Sequence, residues 1–173
     1  MTKTRTSISE SGRCLAVAAI LGLAGGPVAA GDLISVKRMT LDLASDVAKA
    51  SVEACRKKGY QISVVVVDRG ATPMVVMRDV FASRFTTEIS ERKANAVILS
   101  GTSTKEFARN RADILREMNE VSGILVLDGA LPIQASGSLI GAVGVSGAPG
   151  GEIDAECAKA GIEAVEERLE FAD

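Results

Sequence analysis

The sequence contains no histidine, and its best candidates for ligand chemistry are basic residues. Histidine is the usual general base and a common metal ligand near neutral pH, so its absence removes the simplest acid–base and metal sites. The acidic residues Asp68, Asp79 and Asp154 are scattered, and a serine or cysteine nucleophile would need an unusual base. Catalysis is therefore expected only through a bound cofactor.

A group of basic residues is the best candidate for binding an acidic ligand. Arg78, Arg84, Arg92 and Lys93 follow a short predicted hairpin. Arginine pairs bidentately with carboxylates, so this group could bind the acidic groups of a ligand. The alternative is a solvated helix face, on which nearby acidic residues balance these charges.

The composition indicates one ordinary globular domain rather than a nucleic-acid-binding protein. Hydrophobic residues make up 47% of the 173 residues and charged residues 24%. The formal net charge is −2 and the sequence pI is 5.3, whereas nucleic-acid binding normally requires a basic face. Only five residues are aromatic, so the core must consist of Val, Ile, Leu and Ala.

The N-terminus has the pattern of a secretory signal. Three basic residues come before an apolar run over residues 15–24, and small residues follow up to Ala30. This run of about ten residues is too short for a stable membrane anchor. We therefore predict a signal peptide over 1–30 and a mature domain over 31–173, located in the periplasm or secreted. The alternative is a buried first helix.

Export would permit the two cysteines of the mature chain to pair. An oxidising compartment allows a disulfide between Cys55 and Cys157, both of which lie in helical patterns. Two buried free thiols acting as small apolar residues are an equal alternative. The sequence leaves this choice open.

Hydrophobic spacing and turn residues predict an α+β domain. Helices are predicted over residues 40–58, 83–99, 104–118 and 153–171, and strands over 61–68, 73–78, 123–127, 131–134 and 139–146. Strands joined by tight turns and grouped in two clusters favour an antiparallel sheet with helices beside it.

Glycines interrupt the last predicted strand, which is otherwise strongly apolar. Gly141, Gly144 and Gly147 each cost stability relative to a larger residue, so we expect either that a neighbouring backbone or a ligand approaches closely there or that the strand bends. The glycine loop that follows resembles an anion site at a helix N-terminus. Acidic residues crowd the first turn of that helix, which argues against phosphate.

Three segments together carry a family resemblance. They are VVVVDRG over 64–70, MRD through ERKA over 77–94, and LPI with IGAVGVSG over 131–147. With them, residues 36–170 resemble the GlcG/HbpS heme-binding family, also called the heme-degrading domain, which is similar to the C-terminal domain of PduO-type proteins. The resemblance implies a profilin-like antiparallel sheet of about five strands flanked by helices, and assembly into homo-oligomers.

The resemblance implies heme as the cofactor, although histidine, the commonest axial ligand, is missing. The iron would then need a weaker oxygen or sulfur ligand, whose identity the sequence leaves open. The predicted cofactor-binding residues are Arg78, Lys93, Arg92, Met77 and Thr102. Further residues with an oxygen or sulfur donor are Met74, Met118, Tyr60, Cys55 and Cys157.

The sequence thus predicts an exported accessory protein that binds heme, a related tetrapyrrole or another small acidic ligand. A first alternative is an extracytoplasmic small-molecule sensor or interaction partner without heme, acting beside a membrane sensor or a catabolic enzyme. A second alternative is an enzyme that degrades heme oxidatively. Nucleic acid and a stable membrane anchor are not expected.

Processing of the N-terminus is directly testable. If residues 1–30 are a signal peptide, the exported protein should begin at Gly31, within about two residues. N-terminal sequencing or the intact mass of the periplasmic protein measures this. Retention of residues 1–30 on the exported form would contradict the prediction.

Overall fold

The computed structural model of the chain describes residues 34–171, so the predicted signal peptide lies outside the described residues. The elements, in chain order, are α1 Leu41–Lys57, β1 Ser63–Asp68, β2 Pro73–Arg78, α2 Arg84–Ser100, α3 Thr104–Asn110, α4 Leu115–Glu120, β3 Ala130–Ala135, β4 Ser138–Ser146, α5 Gly151–Glu163 and α6 Glu166–Glu170. This mixture of helices with one sheet confirms the predicted α+β class.

The sheet is antiparallel, with the strand order β2-β1-β4-β3. Strand β1 lies inside the sheet, and its four consecutive valines are fully buried. Val64 and Val66 belong to a core shared with α1 and α5, whereas Val65 and Val67 contact α2. Because side chains alternate along a strand, this burial places α1 and α5 on one face of the sheet and α2 on the other.

The sheet has four strands among the described residues. The prediction of a further strand over 123–127 is wrong. The amide of Leu125 donates to the carbonyl of Arg92 (3.1 Å), and the amide of Val126 donates to Oδ1 of Asn119 (2.7 Å). The segment therefore bonds to a helix carbonyl and a side chain instead of a neighbouring strand. Val126 packs on Ala96 of α2, and this contact explains why the segment is apolar without being a strand.

Two predicted long helices each form two shorter ones. The helix predicted over 104–118 is broken at Arg111, whose backbone leaves helical geometry (φ −127°, ψ 41°), and α4 starts after this break. The helix predicted over 153–171 is likewise divided into α5 and α6. No helix within residues 34–171 is long and apolar enough to cross a membrane.

The predicted close approach at a strand glycine is confirmed at Gly144 of β4. A Cβ atom at this position would collide with the carbonyl oxygen of Ser90 in α2. The Ser90 hydroxyl also donates to the carbonyl of Ser63 in β1 (3.0 Å). The approaching group is therefore the backbone of α2, which lies directly on the centre of the sheet.

A disulfide joins the two helices on the opposite face. Cys55 of α1 and Cys157 of α5 are bonded, and both residues are fully buried. This bond decides between the two alternatives that the sequence left open. It connects positions 102 residues apart in the chain.

Removing this disulfide should lower stability strongly. In the chain-entropy model, a cross-link that closes a loop of about 100 residues contributes up to about 4.7 kcal/mol by restricting the unfolded chain. We expect the double variant Cys55→Ala/Cys157→Ala to lose about 2–5 kcal/mol of unfolding free energy. Urea denaturation of the oxidised wild type and the variant measures the difference. Equal midpoints and slopes would show that the bond is absent in the folded protein.

Candidate ligand-binding site

Lys93 and Asp154, two residues singled out in the sequence, form a buried ion pair. The Lys93 side chain is 1% exposed, and its Nζ donates to Oδ2 of Asp154 and to the carbonyl of Val145, at 3.0 Å each. Oδ1 of Asp154 accepts from the amide of Ala148 (3.0 Å). The pair therefore links α2 on one face of the sheet, the end of β4, and the first turn of α5 on the other face.

Burial dominates the electrostatics of the Asp154 carboxyl. Loss of hydration raises the pKa of the Asp154 carboxyl, while the Lys93 ammonium and the Ala148 amide act to lower it. Gly129 leaves room for the ammonium, since a Cβ atom there would lie 2.6 Å from Nζ of Lys93. The Lys93 ammonium is thus already committed to protein oxygens.

Met77 and Arg78 lie together at the end of β2 and line a small cavity of about 130 Å³. Nη1 of Arg78 donates to the carbonyl oxygens of Ala82 (2.6 Å) and Asp79 (3.2 Å). The buried Asp79 carboxylate accepts from the guanidinium of Arg56. Sites for small-molecule ligands usually measure about 300–1,000 Å³, so this cavity is too small for a tetrapyrrole in one chain.

Arg92 lies on α2, outside the cavity at β2, and its side chain bonds to the segment that follows α4. Its Nη2 donates to the carbonyl of Ile124 (3.0 Å), and its Nε is buried without a partner among the described residues. Ile124 and Met118 pack against the same small cluster around Phe107. Arg92 therefore helps to position the segment beside Met118.

Thr102 lines a larger cavity where α2, α3 and α4 meet, which we call the Thr102 cavity. Its volume is about 490 Å³, within the range of small-molecule sites. The residues lining it are Leu99, Ser100, Thr102, Phe107, Asn110, Arg111, Ile114 and Met118. Most of this surface is apolar, although four of the eight lining residues, Ser100, Thr102, Asn110 and Arg111, are polar or charged.

Local sequence signals explain how the Thr102 cavity forms. Gly101 ends α2 in a left-handed conformation (φ 72°), and Ser103 begins α3 with a capping box to Glu106. The buried hydroxyl of Thr104 then accepts from the amide of Ala130 in β3 (3.2 Å). The break at Arg111 turns the chain, so that α4 forms the other wall.

The donor set of the Thr102 cavity fits heme. Heme iron accepts oxygen and sulfur ligands as well as histidine, and the cavity offers the Thr102 hydroxyl and the Met118 thioether. Arg111 at the same cavity is half exposed and pairs with Asp113 (3.3 Å), so its guanidinium can reach a carboxylate at the rim. Within residues 34–171, no group of three or more cysteine or acidic side chains could hold a metal ion by itself.

The five predicted binding residues are thus only partly brought together. Met77 and Arg78 share one cavity, whereas Thr102, Arg92 and Lys93 lie in separate surroundings. Their roles in ligand binding stay predictions. Sequence reasoning missed Phe107, Ile114 and Arg111 as cavity residues because it placed all three on one continuous helix.

Comparison with known proteins identifies relatives of this domain. A family model described as "Haem degrading protein HbpS-like" matches residues 39–163. A double mutant of HbpS from Streptomyces reticuli is 35% identical (TM-score 0.73), with 82% of this chain and 98% of that chain covered. Klebsiella pneumoniae ORFY is 26% identical (TM-score 0.72), with 79% and 96% covered.

A more distant solved structure shares the fold. The complex of PduOC with heme is 21% identical (TM-score 0.63), with 74% of this chain and 95% of that chain covered. No curated protein matches the chain.

The Lys93–Asp154 pair generates a prediction with a distinct pH dependence. Lys93→Met leaves a buried carboxylate without its partner, which should cost about 3–5 kcal/mol of unfolding free energy at neutral pH. Without the ammonium, the pKa of Asp154 rises further, so the folded variant binds a proton more tightly than the unfolded chain. The loss of unfolding free energy should therefore shrink as the pH falls toward about 3.9, the pKa of an aspartate in the unfolded chain.

Urea denaturation of the wild type and Lys93→Met between pH 8 and pH 5 measures this effect. The matched control is Lys105→Met, because Lys105 pairs with Glu152 on the surface and both side chains are mostly exposed. The control should change stability by less than about 1 kcal/mol at every pH. A similarly small, pH-independent loss for Lys93→Met would mean that the buried pair does not form.

Proposed function

The chain belongs to the HbpS-like haem-degrading protein family, and on that premise we propose that it is an exported accessory protein that binds heme or a related tetrapyrrole. The observation that carries the proposal is the Thr102 cavity, which combines apolar walls with an oxygen and a sulfur donor. The heme complex of PduOC, a protein of similar fold, supports the same ligand class. Export rests on the N-terminal sequence pattern.

Each wall of the Thr102 cavity has a separate part in the proposed binding. Phe107 and Ile114 supply apolar contact and exclude water, which is the main source of affinity for a flat apolar ring. Arg111 would pair with a heme carboxylate at the rim, and Thr102 and Met118 would offer the oxygen and sulfur donors for iron. Bound heme would supply an iron centre for ligand exchange and one-electron chemistry.

Residues outside the cavity act by positioning its walls. Arg92 bonds to the segment that packs beside Met118, and Lys93 fixes α2 against β4. Met77 and Arg78 line the smaller cavity at β2, which is too small for a tetrapyrrole within one chain, so their predicted contact with heme defines a competing location only if a second copy enlarges the site. The competing location can be tested together with the proposed one.

Hemin titration tests the proposed site. We expect the wild type to give a saturable Soret band, and Thr102→Val/Met118→Leu to weaken binding by about tenfold or more, the scale of losses at tuned metal sites. The matched control is Met74→Leu, because Met74 lies outside the Thr102 cavity. Its affinity should equal that of the wild type.

The other outcomes of the same titration are informative. No saturable titration would favour a sensor or interaction partner without heme. If Arg78→Ala weakens binding while Thr102→Val/Met118→Leu does not, the site at β2 is the correct one. Loss of the Soret band with reductant and oxygen, accompanied by iron release, would identify a heme-degrading enzyme.

We further propose that the protein forms a homo-oligomer through an apolar patch beside the edge strand β2. The exposed fractions of Val76, Val80, Phe81 and Phe85 are 52%, 75%, 84% and 56%; we call these residues the β2 patch. Large apolar patches at an unpaired strand edge are favourable contact surfaces, and a two-fold axis is the commonest geometry. A second copy would cover both the patch and the edge.

Light scattering tests the oligomer. The wild type at micromolar concentration should have at least twice the mass of one chain, whereas Phe81→Asp should approach the mass of one chain because it buries a charge in the contact. Phe171→Asp is the matched control, since Phe171 is similarly exposed (79%) but lies at the far end of the described chain. A monomeric wild type, or an unchanged Phe81→Asp mass, would contradict the proposal.

A further inference from the structure

Another cavity system lies at the start of α1 and shares no lining residue with the Thr102 cavity. One cavity of about 340 Å³ is bordered by α1, β4 and α6, and an adjoining one of about 270 Å³ lies beside the β1–β2 turn. Arg38 and Ile140 line both cavities. The two cavities therefore adjoin at these two residues, and together we call them the basic groove.

The floor of the basic groove is apolar. Ile140 and Leu169 are 3% and 5% exposed and belong to the main core, as does Met39 at 7%. Leu43 and Met74 are half-buried and pack against the same core. A ligand would therefore rest mainly on hydrocarbon side chains in the larger cavity, whereas the cavity beside the β1–β2 turn is about half polar.

The rim of the groove carries an excess of positive charge. Lys37, Arg38, Arg69 and Arg168 line it, and Asp68 is the one acidic lining residue among those described. Oδ1 of Asp68 is committed to the β1–β2 turn, because it accepts from the amides of Gly70 (2.8 Å) and Thr72 (3.0 Å). The net charge of the rim therefore favours an anion.

Existing ion pairs at the rim leave the arginines available to a ligand. Nη2 of Arg38 lies 3.9 Å from Oδ2 of Asp68, and the Arg38 side chain is 77% exposed. Nη1 of Arg168 bonds to Asp46 (2.7 Å), with both side chains about half exposed. Exposed pairs of this kind contribute little stability, so a ligand carboxylate can replace them.

We propose that the basic groove binds an amphipathic carboxylate, with a hydrocarbon chain on the apolar floor and its carboxylate held by Arg38 and Arg69. Inorganic phosphate would leave the floor unused, and a neutral hydrocarbon would leave the arginines unused. A long-chain carboxylic acid satisfies both parts of the groove. This site is independent of the proposed heme site, and the chain could bind both ligands at once.

Fluorescence titration of the full chain with 11-(dansylamino)undecanoic acid tests the proposal. We expect saturable enhancement for the wild type, and a dissociation constant about tenfold or more higher for Arg38→Gln/Arg69→Gln, the scale of a lost charge-assisted contact. Arg109→Gln/Arg116→Gln is the matched control, because both arginines are exposed outside the groove. It should bind like the wild type.

The methyl ester of the same probe separates charge recognition from apolar adsorption. The ester should bind more weakly than the acid and should not distinguish Arg38→Gln/Arg69→Gln from the wild type. Absence of saturable binding, equal affinity of acid and ester, or equal affinity of the variant and the wild type would overturn the proposal.

Hemin titration of Arg38→Gln/Arg69→Gln separates this proposal from the heme site. The titration should match that of the wild type, since the two cavities have no lining residue in common. A loss of hemin binding in this variant would mean that the groove is the heme site, and would overturn the assignment of a separate carboxylate ligand.

Discussion

Lys93 and Asp154 place opposite charges in the interior, where neither would be stable without the other. The Lys93 ammonium also donates to the carbonyl of Val145 near the end of β4, so the ion pair lies beside that strand. It therefore joins helices on opposite faces of the sheet, which the apolar core on each face cannot do alone. The carboxylate also fixes the loop before α5 through the amide of Ala148. The rest of the domain is arranged around this connection.

The position of α2 links the buried pair to the Thr102 cavity. Lys93 fixes α2 near its middle, and Gly144 lets the same helix lie directly on β4. Gly101 ends the helix beside the sheet, and the capped start of α3 follows after two residues. The cavity is therefore built on rigid elements, an arrangement that suits binding of a flat, stiff ligand.

Part of this arrangement could be predicted from local sequence. The valine run and the hairpin depend on neighbouring residues, and their predictions are confirmed. The close approach at Gly144 is confirmed as well, although the sequence did not show that the approaching group is Ser90 of α2. The strand predicted over 123–127 failed because an apolar segment that covers a helix has the same composition as one inside a sheet. Periodicity alone cannot separate these two environments.

Long-range pairing was not available from one sequence. Lys93 and Asp154 are 61 residues apart, and the two bonded cysteines are 102 residues apart. The sequence analysis placed Lys93 in a basic group for ligand binding, because a sequence alone does not distinguish a buried lysine from an exposed one. The cavity around Thr102 was missed for a related reason: the helix break at Arg111 has no proline or glycine to mark it.

The position of bound iron tests the central claim most directly. Crystals of the protein grown with hemin, measured at the iron absorption edge, would give an anomalous difference peak at the metal. We predict this peak between α2 and α4, beside Thr102 and Met118. A peak in the basic groove near Arg38, a peak at the end of β2 near Arg78, or no bound iron in a hemin-saturated crystal would contradict the claim.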